Sequence, residues 1–160
     1  MKKIIFFSSS RADLAFIYNL FAIFEKKKKY KTKVILNDYS KIDYNFIKKN
    51  KVLKIKTNKI NTDKFNLIEH VGKLLKNYTK LLSKLKPDYL FIVGDRYEAF
   101  AMTFVCNFLN IKIIHIAGGD VSKGSYDDEM RTYISNSARF HFPTNIILRK
   151  ILTLLINDKC

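Results

Sequence analysis

Three short stretches collect the residue types that grip anions and move protons. They are Ser8-Ser9-Ser10-Arg11, Gly94-Asp95-Arg96-Tyr97-Glu98, and Ala117-Gly118-Gly119-Asp120 with its continuation to Asp127-Asp128-Glu129-Met130-Arg131. The chain has 25 lysines and only five arginines, yet Arg11, Arg96 and Arg131 fall in or beside these stretches. Arginine presents a planar fork of donors that lysine cannot imitate, so its placement points to bidentate bonding. The partner is either a carboxylate or phosphate of a ligand, or an Arg–Asp network that holds the loops together; one residue can serve both. Asp95 follows a glycine and could accept a proton, orient a sugar hydroxyl, or simply cap the next helix. Asp127 and Asp128 stand at a helix start, where capping accounts for one of them. A carboxylate near Asp95 would help acid–base work, because neighbouring charges can raise one pKa. Asp127 and Arg131 are four apart, the spacing of a pair on one helix face.

The elements that must position these groups can be read from hydrophobic spacing. Ile4–Phe7, Val34–Leu36, Val52–Ile55, Tyr89–Val93 and Ile111–Ile116 are short apolar runs, read as buried strands. Helical spacing covers 12–25 and, most clearly, about 63–84, where Pro87 ends the pattern. Further helices are expected over about 41–49, 97–109, 127–137 and 146–155, with a short strand at 139–142. Continuous rather than alternating apolar strands predict a parallel sheet covered on both faces. The fold class is therefore α/β, a doubly wound, Rossmann-like domain. With strand order 3-2-1-4-5, the three polar stretches leave neighbouring carboxyl ends, where ligands bind in such sheets.

Other residues carry less. His115, two residues before a polar strand tip, suits a hydrogen-bonded core role as well as ligand contact. His141 reads as structural, and His70 as part of a helix. Gly118-Gly119 permits close approach of backbone to ligand but matches neither GxGxxG nor a P-loop. The three histidines form no metal-ligand spacing, Cys106 reads as core packing, and no metal or cofactor is expected. The net charge is +16, and residues 1–86 carry all of it, with 22 basic against 6 acidic side chains. That excess is mostly lysine, and a solvated face explains it; the Lys26–Lys29 run suits the end of a helix. A nucleic-acid surface is not expected, and no apolar run is long enough to span a membrane. The expected location is the cytoplasm.

Taken together, Ser9-Ser10-Arg11-Ala12-Asp13, Lys86-Pro87-Asp88, Gly94-Asp95-Arg96-Tyr97-Glu98, His115-Ile116-Ala117-Gly118-Gly119-Asp120 and Asp127-Asp128-Glu129-Met130-Arg131 resemble the UDP-N-acetylglucosamine 2-epimerase family, in particular its hydrolysing branch. The resemblance implies a two-lobed, glycosyltransferase-B-like fold, of which residues 1–145 would be the N-terminal lobe and 146–160 a divergent helix or tail. It also implies elimination of UDP to a glycal, then water addition to release N-acetylmannosamine, as needed for sialic-acid-type sugars. On this chain Asp95, Glu98 and Asp127 would be catalytic, Glu98 in a supporting role. Arg11, Arg96, His115, Gly118, Gly119, Asp120, Asp128 and Arg131 would line the substrate site. The chain departs from the family at Asp120, commonly Glu, and at Thr132, often His. No second nucleotide-binding lobe follows, so the expectation is a truncated or split half, inactive alone, partnered by a UDP-sugar, a separate second lobe, or copies of itself. The alternatives are a non-catalytic α/β module and, less favoured, a basic nucleic-acid-binding protein.

Overall fold

In the computed structural model the run Ile4-Ile5-Phe6-Phe7 lies inside strand β1 (Lys2–Ser8), and alternate side chains enter opposite layers. Ile5 and Phe7 pack in one buried cluster, Ile4 and Phe6 in another. No position of the run faces water, which is why the sequence shows no polar alternation there. The structure describes residues 1–38, 51–56, 64–118 and 126–144, without the side chains of Arg11, Asp38, Lys56, Lys64, Phe65, Tyr126 and Asp127. The expected helices at 41–49 and 146–155 lie outside the described residues.

The elements follow as α1 (Arg11–Glu25), β2 (Tyr30–Asp38), β3 (Val52–Lys56), α2 (Lys64–Leu85), β4 (Tyr89–Val93), α3 (Tyr97–Phe108), β5 (Lys112–Ile116), α4 (Tyr126–Ser137) and β6 (Phe140–Phe142). The six strands form one sheet in the order β3-β2-β1-β4-β5-β6, and every pairing is parallel. β2 starts four residues earlier than the apolar core Val34-Ile35-Leu36 suggests, because Tyr30, Lys31, Thr32 and Lys33 pair with β1. Helix α1 covers one face with Leu14, Ile17 and Phe21. Helices α2, α3 and α4 contribute to the other with Leu74, Tyr78, Leu82, Met102, Cys106 and Ile134. Each such side chain fully buried is worth roughly 1.5–3 kcal/mol. Burial also pushes the Cys106 thiol up, in keeping with a packing role.

One polar tie fixes a helix to the sheet, and a second joins two strands. The Asn37 amide and the Tyr78 hydroxyl, both buried, exchange hydrogen bonds at 2.8 and 3.0 Å, joining β2 to α2. Asp88 accepts from the Lys3 backbone N–H at 2.8 Å and from Lys2 Nζ at 3.0 Å, which anchors the start of β4 to β1. Among the described residues no helix is long and apolar enough to cross a membrane. The order β1-β4-β5 then sets the tips of these three strands side by side, with the reversal of strand order between β1 and β4.

Candidate functional site

At the tip of β1 the serines build a rigid turn rather than a loose loop. The Asp13 carboxylate accepts from Ser9 Oγ at 2.7 Å and from the backbone N–H groups of Ser9 and Ser10 at 3.2 and 2.9 Å. Ser10 Oγ accepts from the Asp13 N–H at 3.3 Å, completing a capping box. Helix α1 therefore begins at Arg11, at the carboxyl end of the sheet. The Arg11 side chain lies outside the described residues.

The tip of β4 turns at Gly94, whose φ of +73° suits glycine. Its N–H donates to the Ile116 carbonyl at 3.1 Å, so the exits of β4 and β5 are tied together. Helix α3 starts after Arg96, and no side chain caps it, so Asp95 is not its cap. Arg96 instead donates through Nε and Nη2 to the two carboxylate oxygens of Glu98, each at 3.2 Å. Glu98 is fully buried in the first turn of α3, where the helix dipole favours negative charge. For Arg96 and Glu98 the described contacts are those of the network alternative.

Asp95 meets Arg131 from α4. Arg131 Nη2 donates to Asp95 Oδ2, and Nη1 donates to Asp128 Oδ1 at 2.8 Å. Arg131 is nearly buried, while the Asp95 and Asp128 side chains keep 21% and 25% of their exposure. One guanidinium thus holds two carboxylates in fixed positions at the edge of solvent. The spacing suggested Asp127 as the partner of Arg131; the contact seen is with Asp128, three residues back, and the Asp127 side chain lies outside the described residues. Chemically, the cluster offers carboxylate oxygens of set orientation, suited to accepting a proton or a ligand hydroxyl.

His115 is buried on β5, on the sheet face covered by α2, α3 and α4. Its Nε2 stands 2.9 Å from the Gly94 carbonyl oxygen, and its Nδ1 3.2 Å from Ser135 Oγ. A carbonyl only accepts, so Nε2 carries the proton and Nδ1 accepts from the serine hydroxyl. Burial pushes the ring down to about 4, and the charges of His141 and Arg131 act in the same direction. His115 is therefore neutral at pH 7. A side chain at Gly118 would stand 2.6 Å from two atoms of this ring and 2.9 Å from Ser135 Oγ. The space on the Cβ side of Gly118 is filled by His115 and Ser135. Gly119 and Asp120 lie outside the described residues.

His70, buried on α2, sets its ring edge-on to Tyr97 at 5.9 Å. Ser135 was missed by sequence reading, though a signal exists: Asp128, Arg131 and Ser135 are spaced three and four apart on one helix face. Among the described residues no group of His, Cys, Asp or Glu could hold a metal. A cavity of about 310 Å³ lined by Leu82, Ser83, Lys86, Pro87, Leu109 and Ile111 lies at the opposite, amino-terminal end of β4 and β5.

A parallel α/β sheet with polar tips at its strand-order reversal defines a doubly wound, Rossmann-like domain. The solved UDP-N-acetylglucosamine 2-epimerases of Neisseria meningitidis, bound to UDP-N-acetylglucosamine, and of Methanocaldococcus jannaschii superpose on it. Their TM-scores are 0.82 and 0.81 at 19% and 20% identity, over 96% and 99% of this chain and 43% and 44% of theirs. The sequence profile of the UDP-N-acetylglucosamine 2-epimerase family matches residues 25–157, and the chain belongs to that family. A hydrolysing GDP/UDP-N,N'-diacetylbacillosamine 2-epimerase of Campylobacter jejuni is 36% identical over 78 residues, 49% of this chain and 20% of that protein. The Neisseria meningitidis UDP-N-acetylglucosamine 2-epimerase is 36% identical over 81 residues, 48% of this chain and 21% of its own length. The chain spans less than half the length of these structural neighbours.

Proposed function

We propose that this chain is the N-terminal, sugar-facing lobe of a hydrolysing 2-epimerase acting on a UDP-linked 2-acetamido sugar. In that reaction a base takes the proton from C2 while the C1–O bond to UDP breaks with its electron pair, leaving a glycal. Water then adds at C1 and a proton returns to the other face of C2, releasing N-acetylmannosamine and UDP. The observation that supports the reading best is Arg131 bridging Asp95 and Asp128 beside the tips of β4 and β5. Asp95 and Asp127 are the acid–base candidates, and Glu98 supports through Arg96. By the family resemblance, Arg11, Gly119 and Asp120 are further candidates for contact with the substrate. Stabilisation of the departing UDP, usually a large electrostatic term, falls to a second lobe.

The chain alone is expected to release neither UDP nor N-acetylmannosamine from UDP-N-acetylglucosamine. Mixed with the separately produced C-terminal lobe of the Campylobacter jejuni relative, it is expected to release UDP. Asp95→Asn should then lower that rate about a hundredfold or more. Release of N-acetylmannosamine by the chain alone would refute the half-site reading. A well-folded mixture that leaves the UDP-sugar intact would favour the non-catalytic module.

A further inference from the structure

We infer that His115 is a positioning residue, a neutral clamp that sets Asp95 opposite Arg131 without touching the ligand. The inference rests on the reading of Asp95 and Arg131 as site residues. Its basis is where the two ring nitrogens go. Nε2–H donates to the Gly94 carbonyl, which belongs to the peptide joining Gly94 to Asp95. The orientation of that peptide plane sets the direction in which Asp95 leaves the strand, and Gly94 at φ +73° has the conformational freedom to lose it. Nδ1 accepts from Ser135 Oγ, and Ser135 follows Arg131 by one helical turn on the same face of α4. One ring therefore ties the backbone of one ion-pair member to the helix that carries the other. Gly118 leaves room for it: a Cβ there would meet Cε1 and Nδ1 at 2.6 Å. At 1% exposure the ring has no surface to offer a sugar. Its low proton affinity keeps the donor–acceptor polarity of the clamp constant through the neutral range.

The test is solution NMR on the ¹⁵N-labelled 160-residue chain, with no ligand present. At pH 7 the His115 ring should show a protonated Nε2 and a bare Nδ1, and the Arg131 guanidinium N–H signals should exchange slowly. His115→Gln, which retains an N–H donor within reach of Gly94, should preserve the slow exchange. His115→Phe, which fills the space without a donor, should speed it about tenfold or more while the core amides of β4 stay protected. Ser135→Ala should keep the Nε2–H tautomer yet also speed the Arg131 exchange, and it serves if the Phe variant does not fold. A proton found on Nδ1 overturns the proposal. So does equal behaviour of the Gln and Phe variants, or Arg131 exchange unchanged by Ser135→Ala. Because these signals need no substrate, the clamp and the epimerase reading fail separately. A chain that never supports turnover with a second lobe can still show the clamp, and an active mixture with the wrong tautomer refutes the clamp alone.

Discussion

At the scale of single residues, Arg131 and His115 make opposite demands on charge. Arg131 must stay charged, because its removal leaves Asp95 and Asp128 facing each other without a counter-ion. Arg131→Ala is expected to cost about 2–3 kcal/mol, below the figure for a fully buried pair because both carboxylates reach solvent. Arg131→Lys should restore only part, since one ammonium cannot reproduce the fork. Urea denaturation of the three proteins measures this, and a lysine variant equal to wild type would contradict the bidentate account. His115 must stay neutral. Burial lowers its native pKa from 6.5 to about 4, so between these values the unfolded chain binds a proton that the native chain does not. Stability contributed by this group is whole above about pH 6.5 and declines as the pH falls toward 4, by up to about 3 kcal/mol. Comparing the pH dependence of stability in wild type and His115→Gln isolates the effect. Parallel curves through that window would show that the ring titrates normally.

Elements contribute through their ends. Helix α1 owes its start to the reciprocal Ser10–Asp13 box, and the same aspartate also holds Ser9. Ser10→Ala is expected to cost about 1 kcal/mol in thermal denaturation, and Asp13→Ala more, because it empties three contacts in the turn. The two glycines at the strand tips separate backbone from packing effects. At Gly94 an added Cβ meets nothing within 4 Å, so Gly94→Ala carries only the strain of φ +73°, about 1 kcal/mol. At Gly118 the added Cβ overlaps the His115 ring, and overpacking of that kind costs about 1–3 kcal/mol. Gly118→Ala should therefore also disturb Arg131 exchange, whereas Gly94→Ala acts on the turn alone. Equal, small losses at both positions would mean that the ring moves aside freely.

For the whole molecule, the net charge and the Asp95–Arg131–Asp128 cluster lie in different halves of the chain. The net charge of +16 belongs to residues 1–86, while 87–160, which carry Asp95, Asp128 and Arg131, are neutral overall. DNA binding is accordingly expected to be weak, blind to sequence and lost by about 0.2 M salt. A complex that survives such salt in a gel-shift assay would argue for the nucleic-acid alternative. Exposed Phe16, Ile23, Phe104 and Phe108 leave apolar surface on α1 and α3, and self-association is the expected consequence. A monomeric elution volume at high protein concentration would contradict it.

Much of the architecture was legible from residue order. Continuous runs such as Ile4–Phe7 and Tyr89–Val93 call for a sheet buried on both faces, and Pro87 marks the boundary of the longest helix. The placement of Arg96 and Arg131 in or beside the polar stretches, in a chain that otherwise prefers lysine, pointed to paired arginines and carboxylates, and both arginines are paired with carboxylates in the structure. Local spacing could not say which carboxylate each arginine takes. Arg131 turned to Asp128 and to Asp95, thirty-six residues away in sequence, because β4 and β5 are neighbours and α4 packs over them. Nor could it say whether Gly118 faces a ligand or a side chain, or that His115 joins Gly94 to Ser135. Periodicity encodes which face of an element is buried; the partner of a polar group depends on strand order and register, which arise only when the layers pack.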